Sequence, residues 1–466
     1  MGESVYDNRW YILAAVMFGS MLAPIDGSVV NIAMPTLSNY FKVDMLVVSW
    51  VSMAYLLTVS SLVMTFGRLG DIYGYKRIYQ YGLLLFTLAS LGCSLSSGIY
   101  MLIALRVVQA LGACMLLAMA PAIITYVFPS NERGKALGFN GMSVAVGLAI
   151  GPSLGGFLIS TLGWPAIFYI NIPIGLIAFL WGRAIIPENF EKKDERFDLV
   201  GAGLAFLMLF SLLLYINQGG NIGWLSYDGI ILISLFVVSL MFFIYIESKI
   251  KEPMLDISLF KIRSFTAGTI GALLNFSGQY IMTFLTPFYL SWRGLSPAEA
   301  GMVMSTFPLF MLFMSPLSGT LSDRFGSRLL SALGAFISAA ALFLMSTLSA
   351  GTSRIYIMVI LAMFGIGNGI FQSPNNSSVM GSVPKQRLGI ASSFLATMRN
   401  SGMVMGVALG SAVFSYMNQY FLSTLNLPGN MLSSLAFIYA IRTSYVTGAM
   451  LDIACTIISL LKDKNS

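Results

Sequence analysis

Gly67-Arg68-Leu69-Gly70-Asp71-Ile72-Tyr73-Gly74-Tyr75-Lys76-Arg77 returns later in the chain as Gly319-Thr320-Leu321-Ser322-Asp323-Arg324-Phe325-Gly326-Ser327-Arg328. Both copies set an Asp four residues after the first Gly, a second Gly three residues further and a base soon after, and both follow an apolar run of membrane length. The copies lie 252 residues apart (67 to 319), and a duplicated segment at that distance implies two homologous halves. Paired repeats in a membrane chain are the architecture of carriers that open alternately to the two sides of a bilayer. The pattern implies movement of a solute across a membrane.

Composition points the same way. The chain is 57% hydrophobic and 10% charged, against about 25% charged in ordinary soluble domains. The net charge of +7 is spread over loops, so it reads as a topology signal and not as a nucleic-acid surface. Cys93, Cys114 and Cys455 all sit in apolar stretches and cannot form a fully paired disulfide framework. Histidine is absent, which excludes a histidine metal site or proton relay. The first apolar stretch is too long for a signal-peptide core and carries Asp26, so it is expected to be retained as a span.

Fourteen apolar segments are expected, at 10–35, 46–66, 78–96, 99–128, 136–161, 165–186, 198–217, 228–247, 267–290, 299–321, 329–350, 355–380, 388–417 and 443–461. Continuous runs of this length rule out the short alternating strands of a barrel. With both termini cytoplasmic, twenty Lys and Arg fall on the inner side and four on the outer, the bias that sets membrane orientation. The stretch 418–442 is moderately apolar and is left as a connection with room for a re-entrant piece.

The repeated segment follows span 2 and then span 10, so spans 7 and 8 are an insertion between two six-helix halves. The expected domains are therefore 1–186, a linker with two extra helices at 187–266, and 267–466. The charged run Pro187 to Asp198 and the stretch Lys249 to Phe265 mark the two boundaries.

These residues resemble the major facilitator superfamily, in particular its fourteen-span drug:proton antiporter branch, over nearly the whole chain. The repeated segment is similar to the superfamily pattern Gly-x-Leu-x-Asp-x-x-Gly-x-Lys/Arg. Span 1 carries Ile25-Asp26-Gly27-Ser28-Val29-Val30-Asn31-Ile32-Ala33-Met34-Pro35. Span 4 carries Arg106-Val107-Val108-Gln109-Ala110-Leu111-Gly112, and span 5 carries Gly147 to Gly156 with Gly151-Pro152 inside it. The sequence departs from the family at Ile72, where a base is usual, and at Ala110, where Gly is usual. The resemblance implies an all-α, fourteen-helix fold of the plasma membrane that exports amphipathic or cationic compounds, drugs and antiseptics among them, in exchange for protons. It implies no enzyme activity and no cofactor, a small-molecule substrate and protons as partners, and function as a monomer in the bilayer.

Individual residues carry chemistry of their own. Asp26 is the one carboxylate well inside a first-half span, a placement costing about 2.5–3.5 kcal/mol when charged, so it is the expected proton carrier. Asp452 in the last segment is the next candidate. Arg106 is the matching cation, and Gln109 follows on the same helical face. Arg399, Asn275, Gln279, Asn368, Gln372, Asn375 and Asn376 are polar groups in second-half spans and are expected, with Gln109, to line a substrate cavity.

Gating is expected from Gly67, Asp71, Gly74, Arg77, Asp323 and Gly326, where Gly67 and Gly74 would permit tight turns. A second gating element is expected from Gly147, Gly151, Pro152 and Gly155, matched by Gly402, Gly406 and Gly410, as close-packing ladders between the halves. No nucleotide-binding loop, Ser/His/Asp set or Cys-x-x-Cys is present, so energy for uphill transport would come from an ion gradient. Export of an endogenous lipid or metabolite, an uptake or facilitative carrier, a membrane-embedded enzyme and a transport-dead sensor are the alternatives.

Overall fold

Long uncharged runs of Leu, Ile, Val, Phe and Met give the backbone no water to bond, so they close their N–H and C=O groups within helices. The computed structural model describes residues 8–129, 132–187, 199–223, 225–247, 257–384, 387–424 and 429–463. Among these residues there are helices and turns but no strand.

The first half contains α1 (Arg9–Ser20), α2 (Leu22–Phe41), α3 (Met45–Tyr73), α4 (Tyr75–Ser94), α5 (Ile99–Val127), α6 (Arg133–Leu162), the single turn α7 (Ala166–Tyr169) and α8 (Asn171–Ile185). Next come α9 (Leu199–Ile222), α10 (Tyr227–Glu247) and a 3-10 turn at Ile257–Lys261. The second half contains α11 (Arg263–Trp292), α12 (Pro297–Phe325), α13 (Ser327–Met345), α14 (Arg354–Gly381), α15 (Leu388–Thr424) and α16 (Gly429–Ser459). Among the described residues, nine helical stretches are long and apolar enough to cross a membrane, with α1 and α2 forming one of them.

One expectation is corrected and one open stretch is filled in. The region 418–442, left open by the sequence, is helical where it is described: α15 runs on to Thr424 and α16 starts at Gly429. Its mixed polarity suits helix ends that extend past the apolar core, which an apolar-run criterion truncates. Gly67 lies inside α3 and not at a turn. The chain turns at Gly74 (φ 93°) and, 252 residues on, at Gly326 (φ 82°), a left-handed conformation that glycine adopts freely. The charged boundary segments fall largely on 188–198 and 248–256, outside the described residues.

The chain forms two compact units. One comprises residues 1–42, 50–202 and 296–301; the other comprises 43–49, 203–295 and 302–466. Each is held by backbone-close helix pairs built on glycine. In the first, a Cβ added to Gly112 of α5 would come within 2.6 Å of the Phe86 nitrogen and 2.9 Å of the Gly82 oxygen on α4. In the second, a Cβ on Gly367 of α14 would come within 2.7 Å of the Ser338 nitrogen and 2.9 Å of the Gly334 oxygen on α13. Gly82 and Gly334 are again 252 residues apart, so the duplication extends from motif to packing. Small residues let helices approach closely where no hydrophobic force drives them together in lipid.

This packing makes a stability prediction. Gly112→Ala forces a methyl into backbone and should cost about 1–3 kcal/mol through overpacking. Gly67→Ala meets nothing within 4 Å and should be neutral or gain about 0.5–1 kcal/mol. Thermal unfolding in detergent measures both, and a Gly112→Ala protein as stable as wild type would refute the close contact.

Candidate functional site

The sequence of α2 carries its single carboxylate, Asp26, into the first unit, where it is wholly enclosed. Arg106 and Gln109 of α5, three residues apart and therefore on one face, meet it there. Arg106 Nη1 donates to Asp26 Oδ2 in a buried ion pair. Its Nη1 also donates to Gln109 Oε1 at 2.6 Å, and its Nε to the Val51 carbonyl at 3.1 Å. The guanidinium lies 4.2 Å from the Tyr55 ring centroid, a cation–π contact.

Asp26 Oδ1 accepts from Gln109 Nε2 at 2.9 Å and from Asn171 Nδ2 of α8 at 2.8 Å. Gln109 Nε2 also donates to Ser90 Oγ of α4 at 2.8 Å. One carboxylate thus joins α2, α5 and α8 directly and α3 and α4 through its partners. A buried pair of this kind is costly to break one-sidedly, by about 3–5 kcal/mol, because the remaining charge has no water to turn to.

The second unit has its own carboxylate–amide contact. Asn275 Nδ2 of α11 donates to Asp452 Oδ1 of α16 at 3.1 Å, and both residues are buried. In each half the first long helix and the last are therefore joined by an Asp–Asn bond, with Asp on the first helix in one half and on the last helix in the other.

The remaining sequence-predicted polar residues sit as follows. Arg399 of α15 donates to Asn376 Oδ1 and faces the Phe276 ring with its guanidinium 5.9 Å from the centroid. Asn368 is enclosed, donating to Ser338 Oγ at 3.2 Å and to the Phe364 carbonyl at 3.1 Å. Asn375 is enclosed too, donating to the Gly268 carbonyl at 3.0 Å and accepting from Lys462 Nζ at 2.8 Å. Gln372 approaches Met311 Sδ at 3.9 Å, and Gln279 is buried in α11. Asn368 and Asn375 thus bond within the helix bundle of their own unit.

Of the gating candidates, the side chains of Asp71 and Asp323 lie outside the described residues, while Arg77 is exposed at the start of α4. The glycine ladder of α6 faces α2: a Cβ on Gly147 would meet Ile25, one on Gly151 would meet Ser28, and one on Gly155 would meet Val29. Pro152 is buried within α6, which continues through it. Likewise Gly402 and Gly406 of α15 sit on the Leu273 and Ser277 carbonyls of α11. These ladder contacts lie inside each unit; Pro152 and the neighbouring Gly156 also meet the start of α12, since a Cβ on Gly301 would come within 2.2 Å of the Pro152 carbonyl and one on Gly156 within 2.2 Å of the Pro297 carbonyl.

Sequence reasoning missed Asn171, Ser90 and the Val51 carbonyl. Asn171 had a signal, a lone amide opening an apolar segment just before Pro173. Ser90 had none, since it is one of many serines in spans. A backbone acceptor such as Val51 cannot be marked by residue type.

Two compact helical units, each with a buried carboxylate–amide contact between two of its long helices, suit a multi-pass membrane protein. The chain belongs to the Major Facilitator Superfamily, whose model matches residues 16–407. It is 38% identical over 410 residues to the riboflavin transporter RibZ of Clostridioides difficile, covering 87% of this chain and 88% of that one. It is 30% identical over 409 residues to the multidrug resistance protein Stp of Mycobacterium tuberculosis, covering 87% of this chain and 76% of the relative. Among solved structures, a bacterial homologue of the human lysosomal transporter Spinster superposes with a TM-score of 0.70 at 17% identity, over 99% of this chain and 97% of that one. The family and these relatives are transporters, and the chain is a multi-pass membrane transporter.

Proposed function

We propose that this protein is a fourteen-span secondary transporter of the plasma membrane that exports amphipathic or cationic small molecules in exchange for protons. In this reading the termini are cytoplasmic, the halves are 1–186 and 267–466, spans 7 and 8 are an inserted linker, and one chain suffices for transport. The observation that carries it is the enclosed Asp26–Arg106–Gln109–Asn171 network, because a carboxylate wired to three helices ties its proton to their arrangement. Protonating Asp26 removes the anion that Arg106 pairs with, which weakens the tie and biases the equilibrium between two conformations. Asp71, Asp323 and the glycines at Gly74 and Gly326 act on the same equilibrium at the helix ends, and Arg399 with Gln279 and Gln372 contributes to substrate contact.

A second reading has a specific observation behind it. The 38% identity to a riboflavin transporter favours a metabolite carrier on the same fold, with a flavin as cargo. Purified protein in proteoliposomes with an imposed pH gradient separates the two when ethidium and riboflavin are offered in turn. Gradient-driven accumulation of ethidium supports antiport of cations, whereas accumulation of riboflavin alone supports the metabolite carrier. Equilibration without accumulation would overturn proton coupling.

Asp71→Asn gives a further expected outcome. It should slow turnover of whichever probe is carried while leaving its affinity near wild type, since the charge acts on the conformational equilibrium. Transport rates against equilibrium binding decide this: lost affinity at unchanged turnover would make the segment part of a binding site.

A further inference from the structure

Asp452 differs from Asp26 in one respect that has a chemical consequence. Asp26 has donors on both oxygens, a base among them, and this inventory suits an acceptor-only anion. Asp452 is equally enclosed, yet its only donor among the described residues is the neutral amide of Asn275, on Oδ1. Among the described residues Asp452 Oδ2 has no hydrogen-bond partner, and neither has Asn275 Oδ1. No Lys or Arg pairs with Asp452 among the described residues.

Two orphan acceptors on one carboxyl–amide pair share a single remedy. A proton on Asp452 Oδ2 converts that atom from acceptor to donor, and Asn275 Oδ1 is the free acceptor of the same amide. An unmet buried polar group costs about 1–3 kcal/mol and a buried charge more, so the neutral acid relieves both atoms and the charge at once. Gly278 makes the space: a Cβ there would lie 2.9 Å from Asp452 Oδ2.

The same face of the chain continues toward the end of the bundle. Residues 452, 455 and 459 are spaced by three and four, one side of α16, and Lys462 follows three residues after its last turn. Cys455 donates to the Gly271 carbonyl at 3.2 Å, and Ser459 is buried one turn on. Lys462, just beyond α16, is buried and donates to Ser331 Oγ of α13 at 3.0 Å and to Asn375 Oδ1 of α14 at 2.8 Å. Burial pushes the Lys462 ammonium down to about 8. Among the described residues the titratable groups along this stretch are Asp452, Cys455, Lys462 and Asp463, the last bonded to Ser264 of α11; α11 also offers Asn275, α13 Ser331 and α14 Asn375, while α15 carries Arg399, which bonds Asn376.

We propose that Asp452 and Asn275 form a second proton-binding site, a carboxylic acid–carboxamide pair, connected to the end of the bundle by the polar file Cys455, Ser459 and Lys462. The step is a simple protonation: a proton taken from water binds Asp452 Oδ2 and is returned to water on ionisation, with no other bond made or broken. As a contribution to coupling, the site rests on the antiport reading above; as a protonated acid, it does not.

The test has two independent arms on the full-length protein. Infrared spectroscopy at pH 7 in H2O and D2O reads the carbonyl stretch of protonated carboxylic acids. The band should be present in wild type, absent in Asp452→Asn, and restored in the exchanged pair Asn275→Asp/Asp452→Asn, which keeps one acid and one amide in the same contact and guards against a merely misfolded single variant. A band unchanged in Asp452→Asn, or none in wild type, overturns the site.

The second arm measures accumulation of whichever probe, ethidium or riboflavin, the wild type concentrates, at a gradient of one pH unit. One coupled proton is then worth about a factor of ten, so the variant should accumulate about tenfold less. Equal accumulation by a folded variant overturns the coupling role. Failure of wild type to respond to the gradient strikes the antiport reading and leaves the infrared result to decide the site.

Discussion

Asp26→Asn is expected to lower pH-gradient-driven accumulation by at least about tenfold, one coupled proton at one pH unit, while substrate binding persists. Asn keeps the size and polarity of the side chain but cannot take up and release a proton. The change breaks the buried pair from the other side and should itself cost stability, eased locally because Asn171 Oδ1 has no partner among the described residues and can be turned to accept from the new NH2. Arg106 retains the Val51 carbonyl, Gln109 Oε1 and the Tyr55 ring. The measurement is uptake by wild-type and variant proteoliposomes with and without the gradient, with monodispersity and thermal unfolding followed in parallel. A folded variant that still concentrates its probe at the wild-type rate would move the coupling proton elsewhere. Downhill exchange in the variant should survive, because the pathway is unaltered.

Asp26 was legible because a charge inside an apolar run is rare, and Arg106 with Gln109 because helical spacing puts them on one face. The repeated Asp and Gly pointed to matching turns, and Gly74 and Gly326 do occupy equivalent left-handed conformations. What could not be read was partnership across helices. Asn171 meets Asp26 across 145 positions of sequence, a contact set by the docking of α8 and by no local pattern. The glycine ladders were recognisable as close-packing devices, but spacing alone does not name the helix they pack on; α2 and α11 receive them. Helix ends were misjudged at 418–442 because polar residues just outside the apolar core look like a loop to any hydropathy criterion. Asp452 and Asn275 were each visible as residues, whereas their pairing between α16 and α11 was not.

Arg106→Gln carries the largest expected loss of stability in the protein. It removes the base from a fully enclosed pair and leaves the Asp26 anion held only by the amides of Gln109 and Asn171. One-sided removal of this kind costs about 3–5 kcal/mol. Replacing both partners by neutral groups of similar shape avoids the stranded charge. The double variant Asp26→Asn/Arg106→Gln should therefore recover most of the stability lost by Arg106→Gln alone. Thermal unfolding of the four proteins in one detergent, read as a double-mutant cycle, gives the coupling between the two sites. Transport adds a readout that a purely structural pair would not move: the double variant should fold and yet remain deficient in gradient-driven accumulation, like Asp26→Asn. A double variant no more stable than Arg106→Gln would mean that Arg106 acts through Val51 and Tyr55 and not through Asp26. A stable double variant that accumulates its probe like wild type would make the pair a structural strut and assign the coupling proton to another carboxylate.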